Sequence, residues 1–202
     1  MKKIQLPIIL FLMTLASSAS AGVNSSLSYS TDYLFRGISQ MDGLAFSGHL
    51  EFDHNSGLYA GVWASEVDYI DGSDIEHDLY AGWKGSIFGL DTNFSYIDYN
   101  YNGNDDLDGS EIMLSTEFSD FSIAYYIGQK DYKDYLEFGY SNWGLDFSYG
   151  IWEDIGRNWS VSKSFDLFLG FEGSFSYIDF SADKVSEMVN EDSLMFSISK
   201  SF

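Results

Sequence analysis

Apolar and polar residues alternate along almost the whole chain from residue 23 onward. A β-strand has a side-chain period of two, so alternation places one residue class on each face of a sheet. Over 44–52, Leu44, Phe46, Leu50 and Phe52 share one face, and Ser47, His49 and Glu51 share the other. Over 112–118, Ile112, Leu114, Thr116 and Phe118 oppose Met113, Ser115 and Glu117. Leu194, Phe196, Ile198 and Phe202 form a last apolar row, broken once by Lys200. Twelve such segments are legible: 23–36, 44–53, 58–69, 75–85, 90–101, 111–119, 121–129, 134–141, 144–153, 158–164, 166–180 and 193–202. The single proline, Pro7, precedes them all. That fits continuous ladder pairing, which needs every backbone N–H.

Lys2 and Lys3 precede a mostly apolar stretch over 4–16 and a small-residue site at Ala19-Ser20-Ala21. This is the pattern of a secretory signal peptide over 1–21, leaving 22–202 as one domain. The apolar stretch is shorter than the roughly 20 residues of a spanning helix, and no later run reaches that length. There is no cysteine, so no disulfide framework supports the exported chain. After the leader, eight bases face 31 acids. Such a balance argues against nucleic acid as a partner, because phosphate binding needs basic residues.

Connections alternate in character. Short ones fall near 55–57, 86–89, 119–120, 141–144 and 164–165, and longer or more acidic ones over 37–43, 70–74, 102–110, 130–133, 154–157 and 181–192. Short turns on one rim and long loops on the other mark an outer-membrane barrel. In a soluble β domain the aromatic face would be the core; in lipid it is the exterior. Export, strand length and closure, which satisfies every ladder group in hydrocarbon, favour lipid. The expectation is an all-β transmembrane antiparallel β-barrel of about 12 strands, with short periplasmic turns and longer extracellular loops. Tyr33, Tyr69, Tyr99, Tyr101, Tyr125, Tyr135 and Tyr177 gather toward the loop ends and Trp143 at a short turn. They are expected to form the aromatic girdles of such a barrel. Phe202 resembles the C-terminal signal read by the outer-membrane assembly machinery.

The stretches "SLSYSTDYLFRGISQ" (26–40), "SGLYAGVWAS" (56–65), "IEHDLYAGW" (75–83) and "SKSF" (199–202) resemble the TorF porin family, most densely in the first third of the mature chain. The resemblance implies a small outer-membrane β-barrel with a pore role and implies no particular substrate.

The inward parity carries Asp32, Glu51, Asp53, Glu66, Asp68, Glu76, Asp78, Glu117, Glu137, Asp146 and Glu172, with Arg36, Lys84, Lys163 and Lys200 as the opposing bases. If water fills the lumen, excess carboxylate favours cations. The expected pore lining is therefore Asp32, Arg36, Glu51, Glu76, Asp78, Lys84, Glu117, Asp146 and Glu172. Arg36 reads either as a bridge to Asp32 near a constriction or as a rim ion pair worth under about 1 kcal/mol. Asn104-x-Asp106-x-Asp108-Gly109 echoes the start of a calcium loop, but Ser115 stands where the bidentate Glu belongs, so Asp106, Asp108 and Glu111 form only a loose metal candidate. His49, His54 and His77 lack a recognisable nucleophile motif, and no catalytic residue or cofactor is assigned.

The reading is an outer-membrane porin, not an enzyme, passing small solutes or cations, with membrane lipid and the assembly machinery as partners. One alternative is a closed structural or surface-interaction barrel whose acidic loops bind divalent cations or other partners. Outer-membrane hydrolase and soluble periplasmic β domain are the remaining alternatives.

Overall fold

The computed structural model describes residues 21–41, 43–69, 72–103, 105–186 and 188–202. The expected leader lies outside them except for Ala21, as does Asn104 of the calcium-like loop. The strands are β1 (Ala21–Ser30), β2 (Leu34–Phe35), β3 (Ile38–Ser39), β4 (Ala45–His54), β5 (Leu58–Glu66), β6 (Ile75–Ile87) and β7 (Leu90–Tyr101). They continue with β8 (Gly109–Phe118), β9 (Phe121–Gln129), β10 (Tyr135–Asn142), β11 (Leu145–Trp152), β12 (Gly156–Asp166), β13 (Glu172–Ala182) and β14 (Glu191–Ser201). β1 and β4 to β14 close into a twelve-stranded antiparallel barrel, and β2 and β3 form a separate hairpin.

Closure is made by β1, which pairs with β4 on one side and β14 on the other, in register Ser26↔Ser201 to Ser30↔Ser197. Phe202 extends this seam, its N–H donating to the Ser25 carbonyl at 2.8 Å. A closed sheet has no unpaired edge. The facing follows the alternation as read: Leu27, Phe46, Leu50, Val62, Leu79, Phe94, Leu114, Ile123, Phe147, Phe175 and Ile198 are all exposed on the exterior. Most serines and carboxylates take the inner parity, but Glu66, expected inward, pairs with the outer Ile75, and Asp98 and Asp179 pair with the outer Leu79 and Trp159 near the long-loop end.

Two strand boundaries depart from the sequence reading. The first strand does not run to Arg36; β1 ends at Ser30, whose hydroxyl donates to the Asp32 carbonyl at 2.7 Å, and the chain leaves the wall. The turn expected at Ser164-Phe165 is instead ladder, because β12 and β13 stay paired to Asp166↔Glu172. The chain reverses at Phe168–Gly170, where Leu169 and Gly170 have φ of 59° and 74°.

Lys163 and Lys200 also change face. Lys163 pairs with Phe175 on the outer parity. Lys200 donates to the Leu169 carbonyl at 3.1 Å and lies over the Phe171 and Phe202 rings at the short-turn rim. Arg36 and Lys84 are therefore the only Arg or Lys turned into the lumen among the described residues.

Most of the expected tyrosine girdle is inside. Tyr99, Tyr101 and Tyr135 are buried, and Tyr33 and Tyr69 pack with them, while Tyr125 stays exposed. The cause is parity: Tyr99 and Tyr101 share the face of Ser95, and Tyr135 pairs with the inward Tyr126. Trp143 is exposed at a short turn as expected.

Candidate functional site

The segment Leu34-Phe35-Arg36-Gly37-Ile38-Ser39 folds back on itself inside the long-loop end of the barrel. Phe35 pairs with Ile38, so Arg36 and Gly37 form a two-residue turn, with φ of 51° and 88°. Positive φ at both central residues defines the type I′ turn, whose twist matches its strands. Glycine is required at the second position for space as well. A Cβ on Gly37 would lie 3.0 Å from Asn158 Cβ and 3.1 Å from Phe180 Cβ, both on the inner wall.

The turn drives Arg36 into the wall. Its Nη1 donates to Glu111 Oε1 at 2.8 Å and its Nη2 to Glu111 Oε2 at 2.7 Å, a bidentate pair. The two side chains are 6% and 0% exposed. The guanidinium carbon lies 4.1 Å from the Tyr135 ring centre, 4.9 Å from Tyr126, 5.1 Å from Trp152 and 4.7 Å from Phe35. Rings on a desolvated cation each add attraction. Tyr99 donates its hydroxyl to Glu111 Oε2 at 2.9 Å, completing the acid's coordination. Burial works against the Arg36 charge, but the Glu111 bonds more than offset it, and its pKa is pushed up.

The loops around the hairpin hold it from above. The Gln40 N–H donates to the Tyr33 carbonyl at 2.7 Å and the Asp68 N–H to the Gln40 carbonyl at 2.8 Å. Tyr69 donates its hydroxyl to the Gln40 side chain, and the Ser39 N–H donates to Glu191 Oε2 at 3.0 Å. Tyr33 lies against Trp63; burial, and then the Glu76 and Asp78 carboxylates, push its phenol well above the ordinary range.

Below the hairpin the lumen opens into a cavity of about 600 Å³ that reaches Glu51, Asp78, Lys84 and Glu137. A second hollow of about 370 Å³ toward the short-turn rim is lined by Lys84, Asp91, Asn93 and Glu117. Lys84 Nζ lies 3.0 Å from Glu51 Oε1 and 2.6 Å from Asp53 Oδ1. Hydroxyl pairs, Ser148 with Ser160 at 2.7 Å and Ser174 with Ser197 at 3.0 Å, line the opposite wall.

The residues expected to line a pore separate by height. Glu51, Lys84, Glu117, Asp146 and Glu172 take the inner parity of the open end, while Glu76 is fully buried at the packed end, accepting the Tyr101 hydroxyl at 2.9 Å. Asp78 lies between them on the cavity wall. Asp32 lies on the loop that leads to the hairpin and accepts the Ser39 hydroxyl at 2.8 Å. Arg36 is neither a rim group nor bonded to Asp32; its partner is Glu111, 75 positions away.

That pairing also removes Glu111 from the metal candidate, because both its oxygens are engaged inside the barrel. Asp108 accepts the Tyr101 N–H at 2.9 Å. Among the described residues no group of three His, Cys, Asp or Glu is placed to hold a metal ion. His49 and His54 bond Ser26 and Ser56, each at 2.8 Å. The cage rings Tyr126, Tyr135 and Trp152 carried no motif in the sequence; their inner parity was the only signal.

The family described as "Bacterial protein of unknown function (Gcw_chp)" matches residues 15–115. The match bears that description, and TorF remains a resemblance read from motifs. Among solved structures, one titled "KdgM porin" aligns with a TM-score of 0.56 at 9% identity, over 89% of this chain and 98% of that one. "KdgM porin in complex with disordered oligogalacturonate" aligns with a TM-score of 0.54 at 8% identity, over 90% and 98%. Similarity at such identity establishes a shared barrel fold. None of the curated proteins matches this sequence.

Proposed function

We propose that this chain, which belongs to the Gcw_chp family of bacterial proteins of unknown function, is an outer-membrane porin for small, preferentially cationic solutes, throttled by its own first loop. The observation that carries this reading is the inverted polarity of the barrel. Leu114, Phe94, Phe175 and their row-mates are exposed outside, while most carboxylates and serines look inward. In water such a continuous apolar belt would far exceed the exposed patch of a soluble monomer. In hydrocarbon it is the required surface, and closure of β1 on β14 pairs the two strands that would otherwise be edges. The TorF resemblance and the barrel fold of the solved neighbours point the same way. On this reading the leader directs export, membrane lipid bathes the belt, and Phe202 presents the assembly signal.

Cation preference follows from how the charges are used. Arg36 is bound to Glu111, and Lys84 to Glu51 and Asp53. Glu117, Asp146 and Glu172 remain toward the short-turn mouth without an ion-pair partner among the described residues. One solved neighbour was captured with oligogalacturonate, a chain of carboxylates. Among the described residues this lumen offers such a polyanion no uncommitted Arg or Lys, so that cargo does not carry over.

Planar-bilayer recording tests the proposal. The expected result is a small, cation-selective conductance that rises in Arg36→Ala, where the hairpin loses its anchor. Anion selectivity, or silence in both wild type and Arg36→Ala, would overturn it. A silent wild type with a conducting variant would instead identify a plugged barrel, the second reading, which the packing around Arg36 favours.

A further inference from the structure

We propose that the cavity beneath the inserted hairpin is a binding site for a small organic cation, an ammonium or guanidinium compound, with Asp78 as its counter-charge. The proposal rests on the cation-porin reading and names the class of solute. Its volume, about 600 Å³, falls in the range of small-molecule pockets.

Charge selects the ligand's sign. Glu51 on the cavity wall shares the one Lys84 ammonium with Asp53, Glu137 accepts the Tyr135 hydroxyl at 3.0 Å, and the Arg36 guanidinium is matched by Glu111. Asp78, on the same wall, is 8% exposed. Its Oδ1 is buried without a hydrogen-bond partner, and no Lys or Arg forms an ion pair with it among the described residues. A buried carboxylate lacking a partner is costly, and an entering cation relieves that cost. A neutral sugar could donate a hydrogen bond to that oxygen but would leave its charge uncompensated.

The walls select an organic cation over a metal ion. Tyr59, Trp63, Tyr80, Tyr126 and Tyr135 line the cavity, and aromatic faces attract alkylammonium and guanidinium groups. Ring faces offer no lone pairs to a divalent ion, and no three-ligand His, Cys, Asp or Glu cluster exists among the described residues. The barrel also holds an internal precedent. Tyr126 and Tyr135, which form part of this cavity, are two of the four rings around the Arg36 guanidinium. The chain thus already binds one organic cation between rings and a carboxylate in the adjoining space.

The test compares choline with its neutral isostere 3,3-dimethylbutan-1-ol on the full chain folded in detergent, by isothermal titration. Choline should bind and the alcohol should not, and Asp78→Asn should weaken choline about tenfold or more. Equal binding of the two probes, or no heat with choline, overturns the site. So does choline affinity unchanged in a folded Asp78→Asn barrel. The probe pair on wild type decides the matter even if that variant fails to fold. Conductance in potassium chloride on the same preparation separates the two claims. A barrel that conducts but ignores choline refutes this site alone, and one that binds choline without conducting refutes the porin reading alone.

Discussion

The same strands build two different interiors at the two ends of the barrel. Toward the long loops, the inward positions carry Glu76, Tyr99, Tyr101, Glu111, Tyr135, Asn158 and Phe180, all buried. There the hairpin fills the middle and every charge sits in a dense frame of rings. Toward the short turns, the inward positions carry Lys84, Asp91, Glu117, Asp146 and Glu172, all exposed, with serines between them. The parity is identical along each strand, so facing alone cannot account for the contrast. Side-chain size and the inserted turn do. Large rings plus a hairpin close one end, while short polar side chains with nothing inserted leave the other end open. A barrel of this strand number lies between those filled by side chains and those left as channels, and here it does both at different heights.

The sharpest way to break this comparison is to remove one member of the buried ion pair. Arg36→Ala or Glu111→Ala alone should cost about 3–5 kcal/mol, because the survivor is a buried, unpaired charge. The double variant Arg36→Met/Glu111→Leu should cost much less. Urea unfolding of the barrel in lipid vesicles measures this, and equal costs for the single and double variants would mean the upper interior is not tightly packed. The next effect tests the facing that both halves share. Leu114→Arg, on the outer row, should cost about 2–4 kcal/mol in the same assay, whereas Ser115→Arg should fold and alter only permeation. The reverse would invert inside and outside.

Smaller changes sharpen the contrast. Gly37→Val meets both a positive φ and the Asn158 and Phe180 side chains. It should destabilise by about 1–3 kcal/mol and raise conductance by displacing the hairpin. Lys84→Met acts on a pair whose lysine is 49% exposed, so its cost should stay under about 1 kcal/mol. Its visible effect should be a stronger cation preference in reversal-potential measurements, since Glu51 and Asp53 lose their neutralising charge. A large stability loss from Lys84→Met would show that the open end is packed after all.

Much of this was legible in the residues. The alternation of Leu114 with Ser115, or of Ile198 with Ser199, set which face each side chain takes, and counting such runs yielded the strand number. It did not reveal the hairpin, because Tyr33, Phe35 and Arg36 continue the parity of β1; Leu34, Ile38 and Ser39 break it, and the Arg36-Gly37 dipeptide hints at a turn. The tyrosines were misplaced for a related reason. Tyr99 and Tyr101 lie near a loop, as girdle residues do, yet their parity points inward.

Sequence alone therefore determined the number of barrel strands, the alternation of their faces and the excess of negative charge, since each is written in neighbours one or two positions apart. Tertiary structure decided what fills the lumen. Arg36 meets Glu111 across 75 positions, and the Tyr126, Tyr135 and Trp152 rings around it come from three different strands. Local periodicity carries no record of such a meeting, because it arises only when the sheet closes and gives the loop an interior to enter.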